Sequence, residues 1–218
     1  MTTQTASYLD AIKHLPEGDT LMLDDVSWEE YEQLLEELGD DYAVNIFYNR
    51  GRLKIMSPLL GHEVYKEVLS RIAHIVAEHI DIDLEICGSI TFKRKRKEQG
   101  AEPDTCFYIQ NASRIIGKLR VDLATDPPPD VVVEIDVSHD STDKFDFYAS
   151  IGVPEIWRYD EQRAQIFHLL DETFVEMPAS RALPLLTAEV LTRFLDQSKT
   201  AGQTATLKSF RQWLQSQP

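Results

Sequence analysis

Apolar and polar residues change period several times along this chain, and each change marks an element. "SWEEYEQLLEELG" opens with Ser27 and carries Glu30 three residues later, the pairing of a capping box. Tyr31, Leu34, Leu35 and Leu38 then follow helical spacing up to Gly39, which predicts a short amphipathic helix ending at the glycine. In "DYAVNIFYNRGRLKIMSP" the period drops to two, through Val44, Ile46 and Tyr48. It turns at Asn49-Arg50-Gly51 and resumes with Leu53 and Ile55, the pattern of a hairpin that Pro58 ends. From His62 to Ile80 the helical period returns, with Val64, Val68, Ile72, Ile75 and Val76 on one face and Glu63, Glu67, Ser70 and His74 near another.

"DLEICGSITF" alternates as a strand, "TCFYI" after Pro103-Asp104 reads as a second, and "PDVVVEIDVS" as a third, apolar enough to be buried on both faces. "STDKFDFYASIGV" predicts a helix from near Ser141 with Gly152 as its stop, followed by strands in "EIWRYD" and "AQIFHLL". Helices are expected over Thr187 to Ser198 and Thr206 to Gln215. The order of helix, three-strand meander, helix and strand describes a mixed α/β arrangement around a central sheet. No internal repeat or low-complexity linker divides it. The expectation is one domain over 1–218, with a helix and hairpin addition at 1–58, a core at 59–170 and terminal helices at 171–218.

Composition supports a packed core, at 43% hydrophobic and 27% charged over 218 residues. No apolar run approaches the roughly 20 residues of a membrane span. "MTTQTASYLDAIKHLPEGDT" has no basic region leading into an apolar stretch, so a soluble cytoplasmic protein is expected. Cys87 and Cys106 read as small buried hydrophobes. The net charge of −15 argues against broad attraction to nucleic acid. Yet eleven Asp or Glu and no Lys or Arg lie between His14 and Asn49, leaving only −4 for all the other residues. Against them stands "KRKRK", Lys93 to Lys97, readable as a phosphate contact or as a solvated hairpin. No G-x-S-x-G, GxGxxG or Walker sequence points to a serine hydrolase or a nucleotide site.

The chemistry rests on carboxylates. Asp130, Glu134 and Asp136 lie on and around the run Val131, Val132, Val133, Ile135 and Val137, where an uncompensated carboxylate is costly. A cation is one compensation. Asp104 and Glu134 supply carboxylates to Mg²⁺ if their strands are adjacent, with Mn²⁺ as a substitute and the main-chain carbonyl of Ile135 as a third oxygen. Lys144, at the start of the next helix, would then position the attacking water or stabilise charge building on a phosphate. Asp136 alternates onto the face of Glu134 and is a further ligand or a lysine partner. Glu63 on the first long helix is a fainter candidate, with His62 beside it. His139 reads as a loop contact, Tyr148 shares the Lys144 helix face, and Asp130 is either turn-forming or supports the site from outside.

"EPDTCFYI", "DPPPDVVVEIDVS", the Lys144 helix and "YASIGVPEIWRYD" together resemble the Uma-type family of candidate bacterial restriction endonucleases, a branch of the PD-(D/E)XK superfamily. The resemblance covers roughly residues 20–200 and is firmest from Glu102 to Asp160. It implies a restriction-endonuclease-like αβββαβ core with a central mixed sheet flanked by helices, Mg²⁺ dependence and cleavage of DNA phosphodiesters. Carried over by position, the first metal-binding Asp corresponds to Asp104 and the acidic residue of the third strand to Glu134. The superfamily pattern expects a lysine two residues after the Glu, where this chain has Asp136. The resemblance implies that Lys144 takes that role from the following helix; in the superfamily an acid on the first core helix sometimes completes the site, for which "GHEVYKE" offers Glu63 and Glu67 beside His62, with a solvated helix face as the other reading. The departure at Asp136 and the acidic N-terminal third favour an alternative, a non-catalytic binding or interaction protein that keeps the nuclease fold. A hydrolase for another phosphate ester is a third reading. Cutting both strands of a duplex calls for two sites, so a homodimer is expected.

Overall fold

A computed structural model describes residues 3–39, 44–137 and 140–217. It divides the chain into two compact units, Met1–Leu59 with Ser89–Glu102, and Leu60–Gly88 with Pro103–Pro218.

The first unit begins with α1 (Thr3–Lys13), β1 (Thr20–Leu23) and α2 (Trp28–Leu38), followed by the hairpin β2 (Asn45–Asn49) and β3 (Arg52–Met56). The capping box at α2 forms as read: Ser27 Oγ accepts from the Glu30 N–H at 3.2 Å, and the Glu30 carboxylate accepts from the Ser27 N–H at 2.8 Å. Arg50 and Gly51 both have positive φ, as a two-residue hairpin turn requires. Trp28, Tyr31 and Tyr48 make the centre of this core, with the Tyr31 and Tyr48 rings stacked at 4.6 Å.

The second unit opens with α3 (Leu60–His79) and β4 (Glu85–Ile86); the chain then supplies β5 (Phe92–Arg94) and β6 (Gln99–Ala101) to the first. "DLEICGSITF" is therefore not one strand. Gly88, at φ 59°, breaks it, and its two ends belong to different sheets. The first sheet runs β1-β3-β2-β6-β5, with Gly100 on β6 lying against Tyr31 where a Cβ would collide with the hydroxyl.

The rest of the chain forms β7 (Thr105–Tyr108), α4 (Ala112–Ile115), β8 (Val131–Ile135), α5 (Phe145–Ile151), β9 (Glu155–Tyr159), β10 (Ala164–Leu170), β11 (Thr173–Met177) and α6 (Ala188–Gln215). The second sheet has the order β11-β10-β9-β8-β7-β4. Among the described strands only β8 and β9 pair in parallel, and α5 lies in the crossover between them. The sequence α3, β4, β7, β8, α5, β9 is the expected αβββαβ order in a mixed sheet.

All five residues of β8 are buried, as its apolar run predicts. Val131, Val133 and Ile135 pack with Phe107 and Trp157 against Val68, Ile72 and Val76 of α3 and Phe194 and Phe210 of α6. Each such side chain contributes about 1.5–3 kcal/mol on burial. Alternation turns the even-numbered residues of β8, Glu134 among them, to the opposite face.

Four further elements, α1, β1, β11 and α6, differ from the sequence reading. α1 and β1 carry no strong apolar period, and β11 is largely exposed, so neither pattern announces them. The two terminal helices form one run interrupted at Gly202, whose φ of 75° and ψ of 165° are not helical.

Candidate active site

Thr105 pairs with Val133 in the antiparallel register of β7 and β8, and one step further along that register Asp104 stands opposite Glu134. The main chain ties them together: the Ile135 N–H donates to Asp104 Oδ2 at 2.6 Å. Lys144 lies in a single 3₁₀ turn, Thr142–Lys144, that leads into α5, and Tyr148 follows one helical turn later. Lys144 Nζ donates to both oxygens of Glu134, at 3.1 and 2.9 Å, and the Tyr148 hydroxyl donates to Glu134 Oε1 at 2.5 Å. From the start of α3, His62 Nε2 reaches Asp104 Oδ2 at 3.0 Å.

Asp104 and Glu134 are each 2% exposed and Lys144 is 1% exposed, so their charges must be compensated by one another. When all are ionised, two carboxylates face one ammonium and one imidazolium and the group is neutral. Burial pushes the Glu134 carboxyl up to about 8; Lys144 opposes that rise and Asp104 adds to it. Burial alone would strip the proton from Lys144, but the carboxylates of Glu134 and Asp104 outweigh it and raise its pKa. The two directions meet in one arrangement, an ammonium on Lys144 beside a carboxyl that takes up a proton far more readily than an exposed one. Burial also works against the Asp104 carboxylate, yet the His62 hydrogen bond and charge, with Lys144 and the Ile135 N–H, leave its pKa lowered. Burial disfavours the His62 imidazolium in the same way, and Asp104 outweighs it, so its pKa is raised.

The other carboxylates of the buried strand find separate partners. Asp130, at the far end of β8, accepts from the Ile109 N–H at 2.7 Å, the Asn111 N–H at 3.1 Å and Asn111 Nδ2 at 2.9 Å. That end lies about 13 Å along the strand from Glu134, and Asp130 holds the connection after β7. Asp136 sits just past the strand, where it accepts from Arg158 Nε at 2.5 Å and the Ser141 N–H at 3.1 Å. Its described partners are therefore an arginine and an amide rather than Lys144. Glu63 contacts His62 Nδ1 at 3.5 Å and pairs with Lys66, one layer outside the carboxylates. His139 lies outside the described residues. Lys93 and Lys95 pair with Glu32 in the first unit, at 3.8 and 3.1 Å.

The sequence model of the Uma2 family, described as "Putative restriction endonuclease", matches residues 28–196. The chain belongs to the Uma2 family. A crystal structure described as a putative nuclease belonging to DUF820 from Anabaena variabilis ATCC 29413 is similar in fold. The TM-score is 0.52 at 18% identity, over 78% of this chain and 99% of that one. No curated protein matches the chain.

Asp104, Glu134, Lys144, His62 and Tyr148 all lie within the Uma2 match. His62 was not among the catalytic candidates from sequence; its position at the head of the first long helix, in "GHEVYKE", was the available signal. Among the described residues no group of three or more His, Cys, Asp or Glu side chains converges as a metal cage. Two carboxylates on adjacent strands, with the Ile135 main chain between them, are nonetheless the hard oxygen donors that Mg²⁺ or Mn²⁺ takes when water and substrate phosphate complete the shell. The donor chemistry fits such an ion, and does not fit one that needs a full shell of protein ligands.

The same family match includes "GVPEIW", and the geometry explains its acid. Glu155 is buried and accepts from Trp157 Nε1 at 2.5 Å and from the N–H groups of Arg181 and Ala182 at 2.7 and 3.3 Å. It anchors the segment before α6 and stands at the opposite end of β9 from Arg158, the Asp136 partner.

Proposed function

We propose that this Uma2 protein is a Mg²⁺-dependent endonuclease that hydrolyses DNA phosphodiester bonds, with Mn²⁺ as a substitute, and that it acts in the cytoplasm as a homodimer. The observation that carries the reading is the buried set of Asp104, Glu134 and Lys144, with the Lys144 ammonium 2.9 Å from a carboxylate on the central strand. Asp104, Glu134 and the Ile135 carbonyl would hold the ion. Bound there, Mg²⁺ supplies polarisation of the phosphate and a lowered pKa for the attacking water.

The chain's own residues do the rest. His62 and the Ile135 N–H fix the Asp104 carboxylate, and Tyr148 fixes that of Glu134. Lys144, which donates to Glu134, would present its ammonium to the attacking water and to charge developing on the phosphate. Cleavage of supercoiled plasmid in Mg²⁺, followed on gels, tests this. Activity in the wild type that disappears in Asp104→Asn and Glu134→Gln, with far-ultraviolet circular dichroism unchanged, is the expected outcome.

One observation favours a second reading, a non-catalytic binding or interaction protein that retains the nuclease fold. Both oxygens of Glu134 already accept from Lys144, and one from Tyr148 as well. A carboxylate so occupied is a structural ion pair unless an ion draws it away. Calorimetric titration with Mg²⁺ and Mn²⁺ in the presence of a DNA duplex separates the two readings. Heat of binding that Glu134→Gln abolishes belongs to the nuclease, and none in either protein belongs to the scaffold.

A further inference from the structure

A cleft of about 430 Å³ lies within the second unit, walled by α3 on one side and the C-terminal part of α6 on the other, with Ile86 and Gly88 at its edge. His62, Lys66, Ser70 and His74 recur every four residues on α3 and so form one stripe along that helix. The stripe starts at the residue that donates to Asp104, and its last three members line the cleft. It extends about 18 Å at 1.5 Å per residue. The opposite wall presents Lys208 and Arg211, a further i, i+3 pair, and Ile75 and Leu207 form an apolar floor.

Charge and hydrogen bonding both point to an anionic occupant. Glu67 is the cleft's acidic residue and is paired with Arg71 at 2.6 Å. Lys208 and Arg211 are exposed and make no ion pair among the described residues. The Thr105 side chain also lines the cleft, and its hydroxyl, buried in a residue only 2% exposed, has no hydrogen-bond partner. Thr105 follows Asp104 in the chain, and strand alternation turns its side chain to the α3 face of the sheet, that of Val133. In a chain of net charge −15, a cleft with unneutralised cations on one wall and a buried free hydroxyl is a local exception, and its α3 wall leads back to His62, which contacts Asp104.

We infer that this cleft is a track for one strand of the DNA substrate beside the cleavage site, with Lys208 and Arg211 meeting its phosphates and its sugars resting on Leu207 and Ile75. This rests on the nuclease reading above. Lys208 and Arg211 lie beyond residue 196, where the Uma2 match ends, so the family description does not include them.

The test is fluorescence anisotropy of labelled single-stranded and duplex oligonucleotides against salt concentration, in Ca²⁺ without Mg²⁺, together with plasmid cleavage in Mg²⁺. Lys208→Ala/Arg211→Ala should bind at least about tenfold more weakly at moderate salt and lower the log–log salt slope by about 2. Lys93→Ala/Lys95→Ala serves as the contrast, because it removes cations from the other basic run. Wild-type binding that the groove pair leaves unchanged, or that depends only on Lys93 and Lys95, overturns the inference while the nuclease reading stands. A wild type that neither binds nor cuts DNA takes down the nuclease reading and this inference with it.

Discussion

At the scale of single residues, Glu134 and Lys144 are tolerable in the core only as a pair. Lys144→Met should, in alkaline urea unfolding where Glu134 is ionised, leave a buried carboxylate without its ammonium and destabilise the fold by about 3–5 kcal/mol. Glu134→Gln combined with Lys144→Met should recover much of that loss, because no lone charge then remains. The pH dependence has a definite sign. Glu134 is raised from 4.5 to about 8, so the stability it contributes is complete below 4.5 and is lost as the pH rises through 8. His62, raised from 6.5, acts in the same direction on the alkaline side. Asp104 is lowered from 3.8, so its contribution is present above 3.8 and is lost as acid takes the pH down through its folded value. Urea midpoints measured from acid to alkaline pH should therefore pass through a maximum, and Glu134→Gln should flatten the fall between 4.5 and 8. Much of this site was legible from sequence, since Asp104, Glu134 and Lys144 each stand at the edge of a strong pattern. Asp130 was not, because its partners come from Ile109 and Asn111, some twenty residues earlier, and no spacing along β8 reveals them.

At the scale of elements, β8 and α3 were readable because their burial is regular: every position of β8 is covered, and one stripe of α3 is. "DLEICGSITF" misled because alternation reports that a segment is extended and says nothing of which sheet takes each end. β11 escaped because a mostly exposed edge strand has no apolar face to show. Gly202 offers a test of the interruption in α6. No atom lies within 4 Å of where its Cβ would be, so the cost of Gly202→Ala is conformational rather than steric. A φ of 75° with ψ of 165° belongs almost solely to glycine, and the substitution should cost about 1–3 kcal/mol by denaturation. Glu155→Ala should leave Trp157 Nε1 and the Arg181 N–H without an acceptor, at about 1–3 kcal/mol for each buried group. Hydrogen exchange at the Arg181 and Ala182 amides should quicken in that variant, which locates the loss.

At the scale of the whole molecule, the acidity gathers in one place: all eleven acidic residues between His14 and Asn49 fall in the first unit, and Glu32 there holds Lys93 and Lys95. The basic run that stood out in the sequence is thus partly neutralised, whereas Lys208 and Arg211 on α6 drew no notice from composition. No helix among the described residues is long and apolar enough to cross a membrane. If both strands of a duplex are cut, two sites must act together, and sedimentation equilibrium should return twice the chain mass of 25.0 kDa. A monomer that linearises plasmid in one encounter would overturn the dimer.

The placement of Lys144 bears on how such proteins are recognised. Its ammonium enters the site from a helical turn ten positions after Glu134, across a connection, instead of from the same strand. Selection can then vary that connection in length while keeping the ammonium in place, and a search written as a fixed run of letters would pass over chains that share the geometry. Kinship among them is better judged by asking whether a crossover helix delivers a cation onto the acid of the central strand.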